Sequence, residues 1–232
     1  TMTNFEEEYL AEFGEYGEGD GQFIWPSSIA LDGDENVYVA DEWLNRILVF
    51  TKDGKFVRHW GVAGSGDGEL NRPAGLAISG DGTMFITDAR NHRVQKFSTS
   101  GEFLAPFGSG GTGRGELGRP SSVAVDSDGD GHVCARANDR VQVYGSDGRF
   151  ITSLIGDAHE LSHWAKMTVA TNPDAVKRRR EVKNPEVEWR LSMPADLVFD
   201  NVNRRLIVAD TQRQRIQIYN KLKDYTPPSR TL

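Results

Sequence analysis

Three aspartates alternate with small residues in the stretch DSDGDG, which begins at Asp126. Carboxylates at the first, third and fifth positions, with glycine at the sixth, resemble the start of a calcium-binding loop, because alternating oxygens can converge on a hard cation. The distal acidic ligand of such a loop is missing, since Cys134 and Ala137 stand at the ninth and twelfth positions. The pattern leaves two interpretations open: a calcium site formed by Asp126, Asp128 and Asp130, or a polar hairpin between two strands.

An aspartate precedes an arginine by five residues at three places, namely Asp41/Arg46, Asp88/Arg93 and Asp210/Arg215. Across a strand–turn–strand hairpin, this spacing places the carboxylate opposite the guanidinium group, where a two-point ion pair would stabilise the turn. A set of catalytic acids is the alternative, but the recurrence favours the structural role, because active sites are not usually repeated. At a fourth place Ala135 replaces the aspartate, and Arg140 then needs another partner such as Asp139.

These pairs belong to a sequence repeat that occurs four times. The first copy reads WPSSIALDGDENVYVADEWLNRILVFTKDGKFVRHWG from Trp25, and the others begin at Arg72, Arg119 and Met193. Each copy predicts four short strands, A to D, with alternating apolar residues in strand A, β-branched residues in strand C and Asp-Gly or Ser-Gly turns. One such sheet buries little by itself, so the copies must stack side by side around an axis, which predicts an all-β propeller.

Three motifs of the repeat resemble the NHL repeat, a family of propeller blades: P-x-x-[ILV]-A-[LVI] in strand A, V-A-D in strand B and x-R-[IV]-Q-[VI] in strand C. The resemblance covers about residues 20–156 and 190–222. It implies a single propeller domain over residues 1–232, with four-stranded antiparallel blades. NHL propellers usually have six blades, so either this propeller is reduced or further blades precede the chain. The segment Tyr9–Gly17 reads like a strand D, and we expect it to close the last blade.

The connection between the third and fourth repeats is longer than the other connections and changes character. Residues 157–193 predict a helical insertion with two short helices, at 160–169 and 173–183, and Asn172 followed by Pro173 is typical of a helix start. We expect three apolar side chains to pack the insertion onto the propeller, namely Trp164, Met167 and Val176.

One face of the predicted propeller collects the loops between strands B and C and those between strand D and the next strand A, because the strands alternate in direction. Loops on a rigid scaffold commonly carry binding sites, and exposed tryptophan and arginine are frequent interface anchors. We predict that this loop face binds a protein or a small-molecule ligand, unless the tryptophans merely pack beneath the insertion. The predicted binding residues are Trp25, Trp43, Arg72, Arg90, His92, Arg136, Asn138 and Arg213.

The composition narrows the range of partners. The chain has 27 Lys and Arg against 34 Asp and Glu, a net charge of −7. An acidic chain repels phosphate backbones unless it segregates a basic patch, so nucleic acid is not the expected partner. No apolar run reaches the roughly 20 residues that span a bilayer, and the single Cys134 excludes an intrachain disulfide. The composition indicates no compartment. An unclosed propeller could pair its edges with a second copy, so a homodimer is expected as one arrangement.

Three functions are compatible with these features. The favoured hypothesis is a non-catalytic binding scaffold that needs no cofactor other than the calcium considered above, because the sequence has no nucleophile elbow, HExxH motif or phosphate-cradling loop. The first alternative that the resemblance implies is a metal-dependent propeller enzyme, lactonase-like or amidating-lyase-like. Such an enzyme needs several metal ligands at the starts of strands A, where Asp196 is the only carboxylate. The resemblance also brings in an RNA-binding NHL domain, for which the basic cluster at residues 177–183 is the supporting feature.

Overall fold

The computed structural model describes residues 12–160, 163–184 and 186–221. Four antiparallel sheets follow one another along this part of the chain and pack side by side as the blades of a β-propeller, which confirms the fold predicted from the repeat. Blades 1 to 3 have four strands each, and blade 4 has three within the described residues. The strands A of neighbouring blades pack against one another, so strand A lies nearest the propeller axis.

The elements follow the repeat closely. Two short strands, β1 (Glu15–Tyr16) and β2 (Gln22–Phe23), lead into blade 1, which consists of β3 (Pro26–Leu31), β4 (Val37–Asp41), β5 (Arg46–Phe50) and β6 (Phe56–Trp60). The strands β7 (Val62–Ala63) and β8 (Glu69–Leu70) lead into blade 2, which consists of β9 (Pro73–Ile78), β10 (Thr83–Asp88), β11 (Arg93–Ser98) and β12 (Phe103–Phe107). The strands β13 (Ser109–Gly110) and β14 (Glu116–Leu117) lead into blade 3, which consists of β15 (Pro120–Val125), β16 (Gly131–Ala135), β17 (Arg140–Tyr144) and β18 (Phe150–Leu154). Three helices follow, α1 (His163–Ala170), α2 (Pro173–Arg180) and α3 (Glu186–Trp189), and then the strands of blade 4, β19 (Pro194–Asp200), β20 (Arg205–Asp210) and β21 (Arg215–Asn220).

Each junction between blades is an apolar core between two sheet faces. Ile47 and Val49 of blade 1 share a buried cluster with Leu76 and Phe97 of blade 2. The corresponding positions meet at the next two junctions, as in Val94 with Val123 and Val141 with Leu197. Because successive side chains of a strand point to opposite faces, a strand between two junctions reads as a mainly apolar run, and four of the five residues of β17 are buried.

The arginine that begins each strand C holds the loop that leads into its blade. Arg93 donates from Nη2 to the carbonyl oxygens of Gly66, at 2.6 Å, and Glu69, at 3.1 Å. A guanidinium group carries five N–H donors in a rigid fork, which suits a group of converging carbonyls. We call this arrangement the loop clamp. The other clamps are Arg46 on Glu18, Gly19 and Gln22, Arg140 on Thr112, Gly113 and Glu116, and Arg215 on Glu188, Trp189 and Arg190.

The predicted aspartate–arginine pair forms directly in two blades. Arg93 Nε lies 2.9 Å from Asp88 Oδ2, and Arg215 Nε lies 2.7 Å from Asp210 Oδ2. Both carboxylates are fully buried, so they need several donors, and each also accepts a hydrogen bond from a glutamine amide two residues after the arginine. The structural interpretation of this spacing is confirmed in blades 2 and 4.

Within the described residues, blades 1 and 3 do not form this aspartate–arginine ion pair. Asp41 accepts the backbone N–H of Ile24 at 2.8 Å, while Arg46 donates to the carbonyls of the loop that leads into blade 1. The expectation that Arg140 pairs with Asp139 is wrong, because Arg140 donates to the loop carbonyls and the Asp139 carboxylate accepts the backbone N–H of Met193 at 2.7 Å. The loop, rather than the carboxylate, is therefore the arginine's constant partner.

A second recurring hydrogen bond joins each blade to the next. The last residue of each B–C loop has a left-handed backbone, and in blades 1 to 3 its side chain accepts the N–H of the residue before the next strand A, which is itself left-handed. Non-glycine residues adopt this backbone conformation only where the surroundings hold it. The pairs are Asn45 with Arg72 at 2.7 Å, His92 with Arg119 at 3.1 Å, and Asp139 with Met193 at 2.7 Å.

The insertion between blades 3 and 4 is an enlarged D–A loop. It begins after Gly156, whose φ is +96° and where an added Cβ would lie 2.3 Å from the backbone nitrogen of Leu191. Leu191 is buried in the same way as Leu70 and Leu117, which end the shorter loops before blades 2 and 3. The insertion therefore leaves the propeller and returns to it at neighbouring points, so its length does not alter the blade junction.

The helices of the insertion agree in part with the prediction. Asn172 caps α2 by accepting the N–H groups of Asp174 and Ala175, at 3.1 and 3.2 Å, as its position before a proline predicts. The short helix α3 was not predicted from the sequence. Its last carbonyls accept hydrogen bonds from Arg215, so α3 takes the place of the loops that lead into blades 1 to 3, which read GDGQF, GDGEL and GRGEL at residues 19–23, 66–70 and 113–117.

The packing predicted for the insertion is wrong for one residue. Met167 is half-exposed and does not bind the insertion to the propeller, and α1 instead packs against α2. Val176 is partly buried, and the side chain of Trp164 lies outside the described residues. Trp189 of α3 packs edge-on against His159, with ring centroids 4.2 Å apart.

The N-terminal segment packs on blade 1 as the end of a strand D packs on the blade that follows it. Phe13 lies 4.9 Å from Phe50 between ring centroids, and the equivalent Trp60 lies 4.8 Å from Phe97. The strands β1 and β2 also pair in parallel, like the short strands that lead into blades 2 and 3. Tyr9 to Ala11 lie outside the described residues, so the closure of the last blade by this segment stays a prediction.

The end of blade 4 is tied to blade 3 by a lysine held between three aspartates. Lys221 Nζ lies 2.6, 2.9 and 2.7 Å from the carboxylates of Asp126, Asp128 and Asp130. Asp126 also accepts the N–H groups of the other two aspartates and contacts His132 Nε2 at 2.9 Å. Burial alone would raise the pKa of Asp126, but its hydrogen bonds with His132 and Lys221 lower the pKa to about 2.

Replacement of Arg93 by lysine should lower the free energy of unfolding by about 2 kcal/mol, because an ammonium group cannot reach Asp88 and both loop carbonyls together. Urea-induced unfolding followed by tryptophan fluorescence measures the loss. The control is Arg149→Lys, since Arg149 pairs with Asp147 at the exposed surface, where solvent screens an ion pair and it contributes little to stability. Equal losses in the two variants would contradict the loop clamp.

Replacement of Asp126 by asparagine should flatten the acid dependence of stability. A carboxyl group with a lowered folded-state pKa stabilises the fold fully above its ordinary value of 3.8, and this stabilisation is lost as the pH falls toward 2. The wild-type chain should therefore lose about 2 kcal/mol over this interval that the Asp126→Asn variant does not lose. Urea unfolding at several pH values measures how steeply the free energy of unfolding changes with pH. Asp34→Asn, at the exposed equivalent hairpin of blade 1, should keep the wild-type slope, and a wild-type slope in Asp126→Asn would refute the assignment.

Candidate functional site

A cleft of about 390 Å³ opens on the face where the B–C and D–A loops emerge. Residues from all four blades contribute to it, from the starts of strands A and from the B–C loops. Glu42 is the one acidic residue among its described lining residues, so the cleft is a positive patch on an acidic chain. We call it the arginine cleft, after its four basic lining residues, Arg72, Arg90, Arg119 and Arg136.

The local backbone of the repeat places two of these arginines. Arg72 and Arg119 occupy the same repeat position, directly before the proline that begins strand A. Both have a left-handed backbone, with φ of 59° and 47°, which the hydrogen bonds from the preceding blade maintain. Arg90 and Arg136 come from the B–C loops of blades 2 and 3. The cleft therefore collects side chains from separate repeats only because the blades pack side by side.

Three arginines of the cleft are free to bind a ligand. Within the described residues, the guanidinium groups of Arg90, Arg119 and Arg136 make no hydrogen bond and no ion pair, in contrast to the four arginines of the loop clamps. The guanidinium carbon of Arg72 lies 4.5 Å from the ring centroid of Trp43, and its Nη1 lies 4.0 Å from Glu42 Oε1. Unpaired guanidinium groups in a concave site suit a carboxylate or a phosphate, which they can bind through two parallel hydrogen bonds.

The two predicted tryptophans form an aromatic pair beside the arginine cleft. Trp25 and Trp43 are stacked, with ring centroids 6.5 Å apart and planes at 18°, and each is about half exposed. Arg72 contacts this pair through its cation–π interaction with Trp43. The alternative that the tryptophans pack beneath the insertion does not describe them, because they stack on one another and remain half exposed.

Of the eight predicted binding residues, three hold the scaffold. His92 Nδ1 accepts the N–H of Arg119, which places the ring proton on Nε2. Asn138 donates to the carbonyls of Gly111, at 2.9 Å, and Glu116, at 3.3 Å. Arg213 donates to the carbonyl of Val187 at 2.6 Å. The other five lie in or beside the arginine cleft, and these are Trp25, Trp43, Arg72, Arg90 and Arg136.

The prediction did not include Arg119 and Glu42 among the binding residues, although both line the cleft. The repeat register offered a signal for Arg119, because it takes the position of Trp25 and Arg72, which were included. The B–C loop offered a weaker signal for Glu42, which directly precedes Trp43. Which arginines stay free of backbone partners depends on contacts between blades, and the sequence carried no signal for that.

The other groups with chemical potential are engaged elsewhere. The three aspartates predicted as calcium ligands hold the ammonium group of Lys221, which stands where their oxygens converge. Within the described residues, no set of three His, Cys, Asp or Glu side chains is arranged to hold a metal ion, and the calcium site stays a prediction. Asp196 accepts a hydrogen bond from Ser122 at 2.5 Å across a blade junction. Burial raises the pKa of the Cys134 thiol, so this cysteine is not poised as a nucleophile.

No helix among the described residues is long and apolar enough to cross a membrane.

Comparisons with known proteins agree with the fold. The family model of the NHL repeat matches residues 70–97. Over 48 residues, 21% of the chain, the sequence is 46% identical to the B-box type zinc finger protein ncl-1 of Caenorhabditis elegans and 42% identical to the protein brain tumor of Drosophila melanogaster. These segments are 6% and 5% of the two proteins, so the chain matches only a small part of either.

A solved structure extends the similarity to most of the chain. A Bacteroides thetaiotaomicron protein of unknown function superposes with a TM-score of 0.57 at 18% identity, over 83% of this chain and 46% of that one. The chain thus spans about half the length of the propeller that it matches. The match at residues 70–97 lies in blade 2, and the other blades carry the same motifs in the same register. The chain is therefore a β-propeller that carries an NHL repeat at residues 70–97, and the motifs of that repeat recur in its other blades.

Proposed function

We propose that the chain is a binding scaffold that captures an anionic ligand in the arginine cleft. The observation that carries the proposal is the set of three guanidinium groups, on Arg90, Arg119 and Arg136, that line one cleft and have no partner among the described residues. The four clamp arginines of the same chain all donate to carbonyls, and the three cleft arginines differ from them because their guanidinium groups have no partner among the described residues. Carboxylates of a protein partner or a small acid, or phosphates, are the groups that such a cleft would bind.

The scaffold supports binding at the arginine cleft through its rigidity. Residues at the starts of strands A and in the B–C loops are held by the loop clamps and by the blade-to-blade hydrogen bonds, so their backbones are ordered before a ligand arrives. A preorganised site loses less conformational entropy on binding than a flexible one. Because residues from all four blades line the cleft, a ligand would span the junctions between repeats.

Single-stranded RNA is the second candidate ligand, and the aromatic pair favours it. Trp25 and Trp43 are half exposed and adjoin Arg72, so a basic cleft and a stacking surface lie side by side. Proteins that bind single strands combine these two elements, because every base has a face that can stack and every phosphate a charge. An acidic net charge does not exclude this ligand, since the positive groups are gathered on one face.

A binding assay with two probes tests both candidates. A fluorescent uridine oligonucleotide and a fluorescent glutamate-rich peptide, followed by anisotropy, should both bind, with affinity that falls steeply between about 50 and 200 mM salt. The triple variant Arg90→Gln, Arg119→Gln, Arg136→Gln should bind both probes at least roughly tenfold more weakly than the wild-type chain does. Trp43→Ala should lower the affinity for the oligonucleotide by about tenfold and leave the affinity for the peptide unchanged, because only the bases can stack on Trp43.

The matched control removes the same charge from another surface. Lys177→Gln, Arg178→Gln, Arg180→Gln changes three exposed residues of α2 and should leave both affinities unchanged. Equal weakening by the two triple variants would mean that net charge alone drives binding, and failure of both probes to bind would refute the proposed function.

A further inference from the structure

A second cavity, of about 780 Å³, opens between blades 2 and 3 on the face opposite the arginine cleft. The A–B loops of blades 2, 3 and 4 and the C–D turn of blade 3 contribute to it. Its apolar lining side chains are Ile78, Phe85, Leu104 and Val125. We call it the lysine cavity, because Lys96 is the one basic residue among its described lining residues.

Lys96 departs from the pattern of strand C. The fourth residue of this strand is Val49 in blade 1, Val143 in blade 3 and Ile218 in blade 4, and both valines are buried. In blade 2 the same position is a lysine, which lies opposite Phe85 on the face of the sheet that packs on blade 3. The repeat therefore builds its blade junctions without a lysine here, and the fold gives no reason for this exception.

The amino group of Lys96 lies against aromatic rings. Its Nζ is 5.2 Å from the ring centroid of Phe85 and 5.6 Å from that of Phe107. It donates to the carbonyl oxygen of Ser146 at 2.5 Å, and among the described residues it forms no ion pair. Because an ammonium group has three donors, the remaining two face other partners, and the cavity is the space beside them.

Burial has different outcomes at Lys96 and at Lys221. Burial lowers the pKa of Lys96, and the carboxylates of Asp147 and Asp81 oppose this shift without cancelling it. Burial would also lower the pKa of Lys221, but hydrogen bonds with three aspartates raise the pKa instead. The neutral amine is the form that attacks carbon, and desolvation beside apolar groups increases its share. Lys96 is therefore the more nucleophilic of these two amines.

We propose that Lys96 captures an uncharged aldehyde or ketone as an imine in the lysine cavity. The Nζ lone pair forms a bond to the carbonyl carbon, and one proton passes from the nitrogen to the oxygen, which becomes a hydroxyl group. The hydroxyl group then leaves with the second nitrogen proton as water, and the C=N bond forms. The step changes no oxidation state, so it needs no other reactant.

The lining of the lysine cavity indicates which carbonyl compounds it would accept. Its apolar side chains fit a hydrocarbon or aromatic group, and Phe85 and Leu104 lie on the same cavity as the amine. Asp81 also lines the cavity and has no basic partner among the described residues, so its carboxylate would repel an anion. The expected ligand is therefore apolar and uncharged apart from its carbonyl dipole.

Reductive trapping tests the proposal on the full 232-residue chain. Benzaldehyde with cyanoborohydride converts an imine into a stable benzylamine, and peptide mass mapping locates it. At neutral pH, Lys96 should be labelled roughly tenfold faster than the exposed Lys52, because the cavity holds the aldehyde beside the amine. The probe 4-carboxybenzaldehyde adds one negative charge to nearly the same shape, and it should lose this preference for Lys96.

Replacement of Leu104 by glutamate tests the role of the cavity. The new carboxylate would favour the ammonium form of Lys96 and remove an apolar contact, so labelling of Lys96 by benzaldehyde should slow by roughly tenfold. Val57→Glu is the matched control, since Val57 takes the same position in strand D of blade 1 and is 46% exposed against 50% for Leu104. It should leave the labelling rate of Lys96 unchanged.

Three results would overturn the proposal. They are labelling of Lys96 no faster than that of Lys52, equal rates at Lys96 in the two glutamate variants, and an undiminished preference for Lys96 with the charged probe. Circular dichroism of both glutamate variants should match that of the wild-type chain, because both positions are exposed. None of these results bears on the proposed function, because the lysine cavity and the arginine cleft share no lining residue.

Discussion

The loop clamp is the interaction on which the arrangement of the blades depends. In every blade, the arginine at the start of strand C gathers carbonyl oxygens from the loop that leads into that blade. Backbone carbonyls in a loop that crosses between two sheets have no ladder partner, and leaving them unpaired would be costly. Because the same loop connects one blade to the next, the clamp also determines where the next strand A begins.

The clamp explains how the propeller accommodates a long insertion. The connection before blade 4 leaves after Gly156 and returns at Leu191, and it needs only to present carbonyls to Arg215 and a buried side chain to the core. Helix α3 supplies the carbonyls, and Leu191 supplies the side chain. The rest of the insertion contributes neither carbonyls to Arg215 nor a side chain to the core, and α1 and α2 can therefore remain exposed.

Two groups of arginines have different roles. The arginines at the start of strand C donate to loop carbonyls, whereas Arg90, Arg119 and Arg136 line a cleft and have no partner among the described residues. An acidic protein thereby presents a positive surface on one face.

The sequence alone determined the four repeats, the position of nearly every blade strand, the loop face and three of the four arginines of the cleft. These follow from short-range signals, namely apolar alternation, turn residues and repeat spacing, which do not depend on what packs against them. Only the tertiary structure decided which arginines clamp loops and which stay free, because both kinds stand in similar polar surroundings along the chain. The same holds for the Asp126 cluster, whose lysine partner lies 95 residues away, and for α3, which is defined by the arginine that it serves. Contacts between groups far apart in sequence arise from the packing of whole sheets, and no local pattern encodes them.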